Sequence, residues 1–408
     1  MVKKILIVSN HFPPLNSMAA KRDGYMCKYF SENGYEPYVL TTYARGGGYI
    51  NCKNDLPVPI NEEHIIRIGH IGVVYSIHNP LINYIVHLYK KHNQNTRIIN
   101  EESIGWAEKV IHEFDYNKFK DFCAIIGTYP AVGNILVAKY LSSVFKIPYV
   151  SEIRDLISDY DERNIRTEFQ KEIDLFLERL LIGNSAGIVT VTDGFNKIIS
   201  TRYPNKKVIT VFNGWEGKID AEVNYNTEKY IYYAGGLYEH RVESLKLLFE
   251  TIEDYDIDVK VKIRSVGPDK FDDQLKDFIR QHNLSDKIEI LNSVSEDIVK
   301  KEQGKSMINL LVSSLNADDK ALMTTIPGKF FELINSEKPV LAIVNKSAEL
   351  SSILSNTKKG RSLDQKYEIY NFITNDYINY KGYRQEVERY SRKEQTRKLC
   401  GFLNEIMR

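Results

Sequence analysis

The sequence predicts two doubly wound α/β domains, and three observations carry that expectation. The chain has 408 residues, more than one ordinary core holds, so two domains are the starting expectation. Short β-branched runs recur, each closing in a loop and followed by a helical pattern. A second series of the same kind begins afresh near Lys229.

In the first series, residues 4–9 (KILIVS) form an apolar run bounded by Asn10, Pro13 and Pro14, the pattern of a buried parallel strand that ends in a loop. A helix is predicted from about Ala19 to Asn33, stopped by Gly34, with YEPYVLTT as the next strand. FCAIIGTY (122–129) and IPYVSEIR (147–154) read as strands flanking a helix over 131–146. SAGIVTVTD (185–193) and KKVITVFNG (206–214) read as two more, around a short helix at 194–202. The second series runs KYIYYAGGL (229–237), a helix near 242–253, VKVKIRSVGP (259–268), a helix near 270–283, KIEILNSV (287–294) and MINLLVSS (307–314). It closes with a helix over Lys329–Ser336 and the strand KPVLAIV (338–344). The expected division is an N-terminal domain over 1–203 and a C-terminal one over 204–381, with a helix in 382–408 returning to the first.

Composition narrows the classes. A hydrophobic content of 43%, 27% charged residues and a net charge of +1 describe a globular chain with no global pull toward nucleic acid. The four cysteines, Cys27, Cys52, Cys123 and Cys400, are scattered, against a disulfide framework or a zinc site and consistent with a reducing cytoplasm. The apolar run after Lys3 and Lys4 is too short for a signal peptide. The stretch 123–150 is broken by Pro130, Gly133, Lys139 and Lys146, so it does not read as a membrane span. Neither half carries GxGxxG after its first strand, against a dinucleotide oxidoreductase.

The most informative segment is Pro327-Gly328-Lys329-Phe330-Phe331-Glu332, followed by Lys338-Pro339-Val340-Leu341. A loop turns into a helix at Lys329, and free N–H groups at that start, with a lysine beside them, suit a diphosphate. Glu332 lies roughly 5 Å further along the axis, where a carboxylate can accept from two vicinal ribose hydroxyls. An acidic residue supporting its own helix dipole is the plain alternative. Tyr233-Ala234-Gly235-Gly236-Leu237, then Glu239-His240-Arg241, opens the second series; glycines after a strand let a phosphate or sugar approach the backbone, and a tight turn is the alternative. Asn10 and His11 follow the first strand, where open α/β sheets bind ligands. Ser151-Glu152-Ile153-Arg154-Asp155-Leu156 ends another strand, fitting either an Arg–Asp pair that locks the loop or an Asp155 that contacts an acceptor hydroxyl.

Together these segments resemble the retaining GT-B glycosyltransferases, especially the family 4 type that makes bacterial surface polysaccharides. The "P-x-K-hydrophobic-hydrophobic-E…K-P-V-L" pattern, the "h-x-G-x-L…R/K" loop, the N-terminal Phe12-Pro13-Pro14 with Ala19, Ala20 and Arg22, the "E-x-R-D-L" segment and the Asn213-Gly214 turn occur in the family's order. The likeness implies a GT-B architecture, two Rossmann-like domains facing a central cleft. It also implies a hexosyltransferase-type activity that moves sugar from a nucleotide-sugar donor, UDP-linked, to a glycan or polyprenyl-linked acceptor. Diphosphate contacts fall to Arg241, Lys329, Gly328, Gly235 and Gly236, ribose to Glu332, and the catalytic candidates are His11 and Asp155. No metal or other cofactor is expected; Asp159-Tyr160-Asp161 has metal-triplet spacing but reads as a solvated face. The family's first glutamate falls on Thr324, and Ile157 stands where tryptophan is usual. Rivals are a GT-B-fold nucleotide-sugar epimerase and a catalytically silent binding subunit.

Residues 77–99 place Ile82, Ile85, Val86 and Tyr89 on one helix face, with Lys90, Lys91, His92 and Arg97 near its end. Two readings stand: a helix covering the N-terminal sheet, or one lying on the anionic inner face of a cell membrane.

Overall fold

The computed structural model describes residues 2–44, 56–92, 101–159, 168–217, 227–266 and 269–408. It divides into two compact units, Met1–Asn213 with Arg392–Arg408, and Gly214–Ser391.

The first unit holds a parallel sheet of β1 (Lys3–Val8), β2 (Tyr35–Tyr43), β3 (Ile65–His70), β4 (Phe122–Tyr129), β5 (Tyr149–Ile153), β6 (Gly187–Thr190) and β7 (Val208–Thr210), in the order β3-β2-β1-β4-β5-β6-β7. β1 shows why such runs are strands: Leu6 and Val8 enter one apolar cluster while Ile5 and Ile7 enter the cluster on the other face. A strand buried on both sides needs apolar residues at every position rather than at alternate ones. The helix Met18–Phe30 is started by Ser17, whose hydroxyl accepts from the Ala20 amide at 3.1 Å. A short 3-10 turn follows, and Gly34 then reverses the chain at φ +80°.

The second unit repeats the plan with β8 (Tyr230–Gly236), β9 (Lys260–Val266), β10 (Ile288–Leu291), β11 (Ile308–Val312), β12 (Val340–Ile343) and β13 (Gly360–Leu363), ordered β10-β9-β8-β11-β12-β13. In both sheets the strand order reverses direction beside the first strand of the unit. Helices on opposite faces diverge there, opening a crevice at the strands' carboxyl ends.

Several expectations need revision. β7 pairs with β6, so the first unit runs on to Asn213 instead of stopping at 203. The returning helix is Arg392–Ile406, and the residues from 382 up to it belong to the second unit. Leu399, Phe402 and Leu403 join the cluster containing Ile5 and Phe30, and Asn404 accepts from Lys3 Nζ at 2.7 Å and Tyr35 Oη at 2.9 Å. The helix that covers the first sheet near its edge is Glu101–Glu113, through Trp106, Ala107 and Val110. The helix Pro80–His92 adds Val86 to the same cluster, whereas its Leu81, Ile82, Tyr84 and Ile85 are exposed. The side chains of Tyr89, Lys90, Lys91 and His92, and Arg97 altogether, lie outside the described residues, as do Tyr160 and Asp161. Asp159 is held by Arg202 at 2.7 Å. Among the described residues no cluster of His, Cys, Asp and Glu could hold a metal ion, and no helix is long and apolar enough to cross a membrane.

Candidate functional site

In the second unit the site grows from β8 and the helix Gly328–Asn335. That helix buries Phe330, Phe331, Leu333 and Ile334, which turns Lys329 and Glu332 away from its packed face. Pro327 stands before the first turn and makes no side-chain cap; the Phe330 amide donates to the Pro327 carbonyl at 2.9 Å, and the Gly328 and Lys329 amides precede it at the helix start. Lys329 reaches back to the end of β8: its Nζ donates to the Ala234 carbonyl at 3.0 Å and lies 3.9 Å from the centre of the Tyr233 ring. A methyl group on Gly235 would come within 2.3 Å of that Nζ, and Gly235 has φ +156°. The backbone conformation favours glycine here, and an added methyl would displace the Lys329 ammonium from the loop.

Arg241 approaches the same loop from the helix Glu239–Asp254. Its Nη1 donates to the Gly236 carbonyl at 2.8 Å, which also accepts from Tyr233 Oη at 2.8 Å. Its Nε is buried with no hydrogen-bond partner among the described residues. Burial pushes the Lys329 ammonium well below its usual pKa, nearby Arg241 adds to the depression, and Glu332 opposes it. Lys329 and Arg241 are thus held together at an electrostatic cost to the charged lysine that a bound anion would relieve. Glu332 is exposed on the solvent side of this group. Sequence reasoning named Gly235, Gly236, Arg241, Gly328, Lys329 and Glu332 from separate segments; the fold brings Lys329 and Arg241 to the Gly235-Gly236 loop, with Gly328 and Glu332 on the helix that carries Lys329. Thr324 stands apart in role, since its hydroxyl donates to the Lys320 carbonyl of its own helix at 2.8 Å.

In the first unit the carboxyl ends of β1 and β5 carry a buried polar network. Arg22, 2% exposed, donates to Glu152 at 2.8 Å, to the carbonyls of Val211 (2.9 Å) and Phe212 (2.8 Å), and to the Asn213 side chain at 3.2 Å. Arg154 pairs with Asp23 at 3.2 Å and donates to the Tyr129 carbonyl at 3.1 Å. Asp23 also accepts from Ser9 Oγ at 2.6 Å. Burial raises Asp23 to about 6 against the pull of Arg154, with Glu152 reinforcing the rise. Glu152 behaves oppositely: burial alone would raise it, but Arg22 and Arg154 outweigh that and hold it below the ordinary value.

His11 lies beside this network, with Nδ1 3.3 Å from Ser17 Oγ. Burial, then the field of Arg154, pushes its pKa down to about 4. The imidazole is therefore neutral at physiological pH, the form that can accept a proton. Asp155 is exposed on the turn after β5. The sequence reading did not single out Asp23 as the partner of Arg154, because 131 positions separate them and no local spacing links them.

The paired sheets, their strand order and the placement of these loops define a GT-B fold. Searches of solved structures agree. TarM matches with a TM-score of 0.65 at 11% identity, covering 99% of both chains. Sucrose-phosphate synthase from Thermosynechococcus elongatus matches at 0.61 and 12%, covering 99% of this chain and 98% of that one. UDP-N-acetylglucosamine 2-epimerase from Rickettsia bellii matches at 0.53 and 14%, covering 99% and 96%. At such identities the likeness establishes a shared fold. No protein-family model and no curated protein matches the sequence.

Proposed function

We propose that this protein is a GT-B glycosyltransferase that binds a nucleotide-sugar donor in its second unit and transfers the sugar to a glycan or lipid-linked acceptor. The supporting observation is the Lys329–Arg241 pair around Gly235 and Gly236, two cations converging on one glycine loop with an uncapped helix N-terminus beside them. Sugar transfer from such a donor expels a nucleoside diphosphate. Preorganised cations and amides lower that barrier by meeting charge as it develops. Lys329 and Arg241 would hold the diphosphate and Glu332 the ribose. A TarM variant from S. aureus, solved in complex with fondaparinux, α-GlcNAc-glycerol and UDP, shares the fold at a TM-score of 0.62 and makes UDP the first nucleotide to test. Retention of anomeric configuration follows from the family resemblance.

On the acceptor side, neutral His11 is the proposed proton acceptor and Asp155 the acceptor contact, both at strand ends of the first unit. The epimerase is the rival that the shared fold keeps in view. Incubating the protein with UDP-sugars and cell-envelope glycan fractions, then separating products by mass, decides between them. A glycosylated acceptor with released UDP is expected; an isomerised UDP-sugar with no transfer would replace this proposal by the epimerase.

The exposed Leu81, Ile82, Tyr84 and Ile85 on Pro80–His92 favour the second reading of that helix, a peripheral contact with the cytoplasmic face of the membrane, where a polyprenyl-linked acceptor would reside. The protein should cosediment with vesicles rich in anionic lipid, and Leu81→Ser with Ile85→Ser should reduce the bound fraction severalfold. Undiminished binding by the double variant would remove the helix from that role.

A further inference from the structure

We infer that Tyr238 is the platform on which the transferred sugar of the donor stacks, a conclusion that rests on the nucleotide-sugar reading above. Neighbouring residues trace a path along the second unit. Glu332 lies one turn from Lys329 on the same helix, and its charge is felt by Lys329. Lys329 Nζ abuts Gly235. Gly236 follows, and a methyl group on it would lie 3.4 Å from the Tyr238 ring. With ribose at Glu332 and diphosphate over Lys329, Gly235 and Gly236, the next group along the donor is the sugar, and the next side chain along the protein is Tyr238.

The ring is suited to that position. It is 52% exposed, at the start of a helix that buries Val242, Leu245, Leu248, Phe249 and Ile252. Its carbonyl accepts from the Arg241 and Val242 amides at the start of the helix Glu239–Asp254, while its side chain makes no cap hydrogen bond. It is nonetheless held in one orientation: the Arg241 guanidinium sits 4.8 Å from the ring centre, and the His240 ring runs parallel to it, 8° between planes, at 5.9 Å. The part of the ring that Arg241 and His240 leave exposed carries negative quadrupole charge on its face and attracts the positively polarised C–H face of a pyranose, at little conformational cost. The same arrangement ties sugar recognition to Arg241, because the residue that holds the diphosphate also holds the platform.

The test compares UDP with UDP-glucose, UDP-galactose and UDP-N-acetylglucosamine by titration calorimetry, using wild-type protein, Tyr238→Ala and Tyr238→Phe. Saturation-transfer NMR reports which ligand protons touch the protein. For the preferred nucleotide sugar, Tyr238→Ala should weaken binding about tenfold and lose saturation of the pyranose C–H protons. UDP affinity should stay within about twofold, and Tyr238→Phe should keep both properties. Equal losses for UDP and nucleotide sugar in Tyr238→Ala would make Tyr238 a support for Arg241 and overturn the inference. So would unchanged sugar affinity. Wild-type protein that binds neither UDP nor any nucleotide sugar would instead overturn the donor-site reading, and this inference with it.

Discussion

Replacing Lys329 by methionine is expected to lower donor turnover by about a hundredfold to a thousandfold, the range for removing one preorganised charge contact from a transition state. The effect should be this large because the ammonium is fixed. The Ala234 carbonyl, the Tyr233 ring and the Cα of Gly235 surround it on three sides, so no search for position is needed when the diphosphate departs. Methionine keeps the length of the side chain and is tolerated in packed surroundings, so the fold should survive. Folding without loss of turnover would mean that Lys329 serves only to pack β8 against its helix. Gly235→Ala should mimic the defect, because the added methyl occupies the place of Nζ.

The largest effect on stability is expected at Arg22. Its guanidinium is almost wholly buried and spends its donors on Glu152, two carbonyls beyond β7 and Asn213. Arg22→Met leaves the Glu152 carboxylate buried without its partner, which costs about 3–5 kcal/mol. The loss should appear as an earlier urea transition and reduced hydrogen-exchange protection of β5 and β7 amides. Replacing Glu152 by glutamine in the same chain should recover part of it by removing the stranded charge. Unaltered protection in Arg22→Met would show that the network is dispensable. The pH dependence has a fixed sign. Because Glu152 lies below its ordinary 4.5 in the fold, its contribution is complete above that value and is lost as pH falls through the depressed one. His11 acts in the same direction, since the unfolded chain takes up its proton near 6.5 and the folded one only near 4. Asp23 acts oppositely above its ordinary 3.8, binding its proton more tightly folded than unfolded.

How much of this was legible in the sequence depended on burial. β1, β4, β8 and β11 are central strands, apolar on both faces, and their runs announce them. β3 and β13 are edge strands; Arg67, Arg361 and Ser362 interrupt their apolar character, and neither stands out as a run. β7 reads as a strand over 206–214 although the expected boundary lies ahead of it, and only its pairing with β6 assigns it to the first unit. The helix Glu101–Glu113 had a readable signal in Ile104, Ala107 and Val110 at helical spacing. In the site, local patterns sufficed for Lys329 and Glu332, which share a helix, and for Gly235, Gly236 and Arg241, which share a turn. They could not supply the Arg22–Glu152 and Asp23–Arg154 pairs, whose partners meet only after β5 is laid into the sheet. Tyr238 was invisible for another reason: its exposed ring against Arg241 is a feature of the fold, not of residue type.

The central claim is that the loop after β8 is a nucleoside-diphosphate site whose charge is incomplete until the ligand arrives. Calorimetric titration with UDP, run in two buffers of different ionisation heat, tests it most directly. Burial and Arg241 depress Lys329 in the free protein, and a diphosphate beside it restores the charged form. Binding should therefore be one-to-one and should take up protons at pH values between the depressed and restored pKa, with the observed heat changing between buffers. Glu332→Ala should weaken it, and Lys329→Met should abolish the buffer dependence. Absence of UDP binding, or binding equally tight and equally proton-linked in Lys329→Met, would contradict the account.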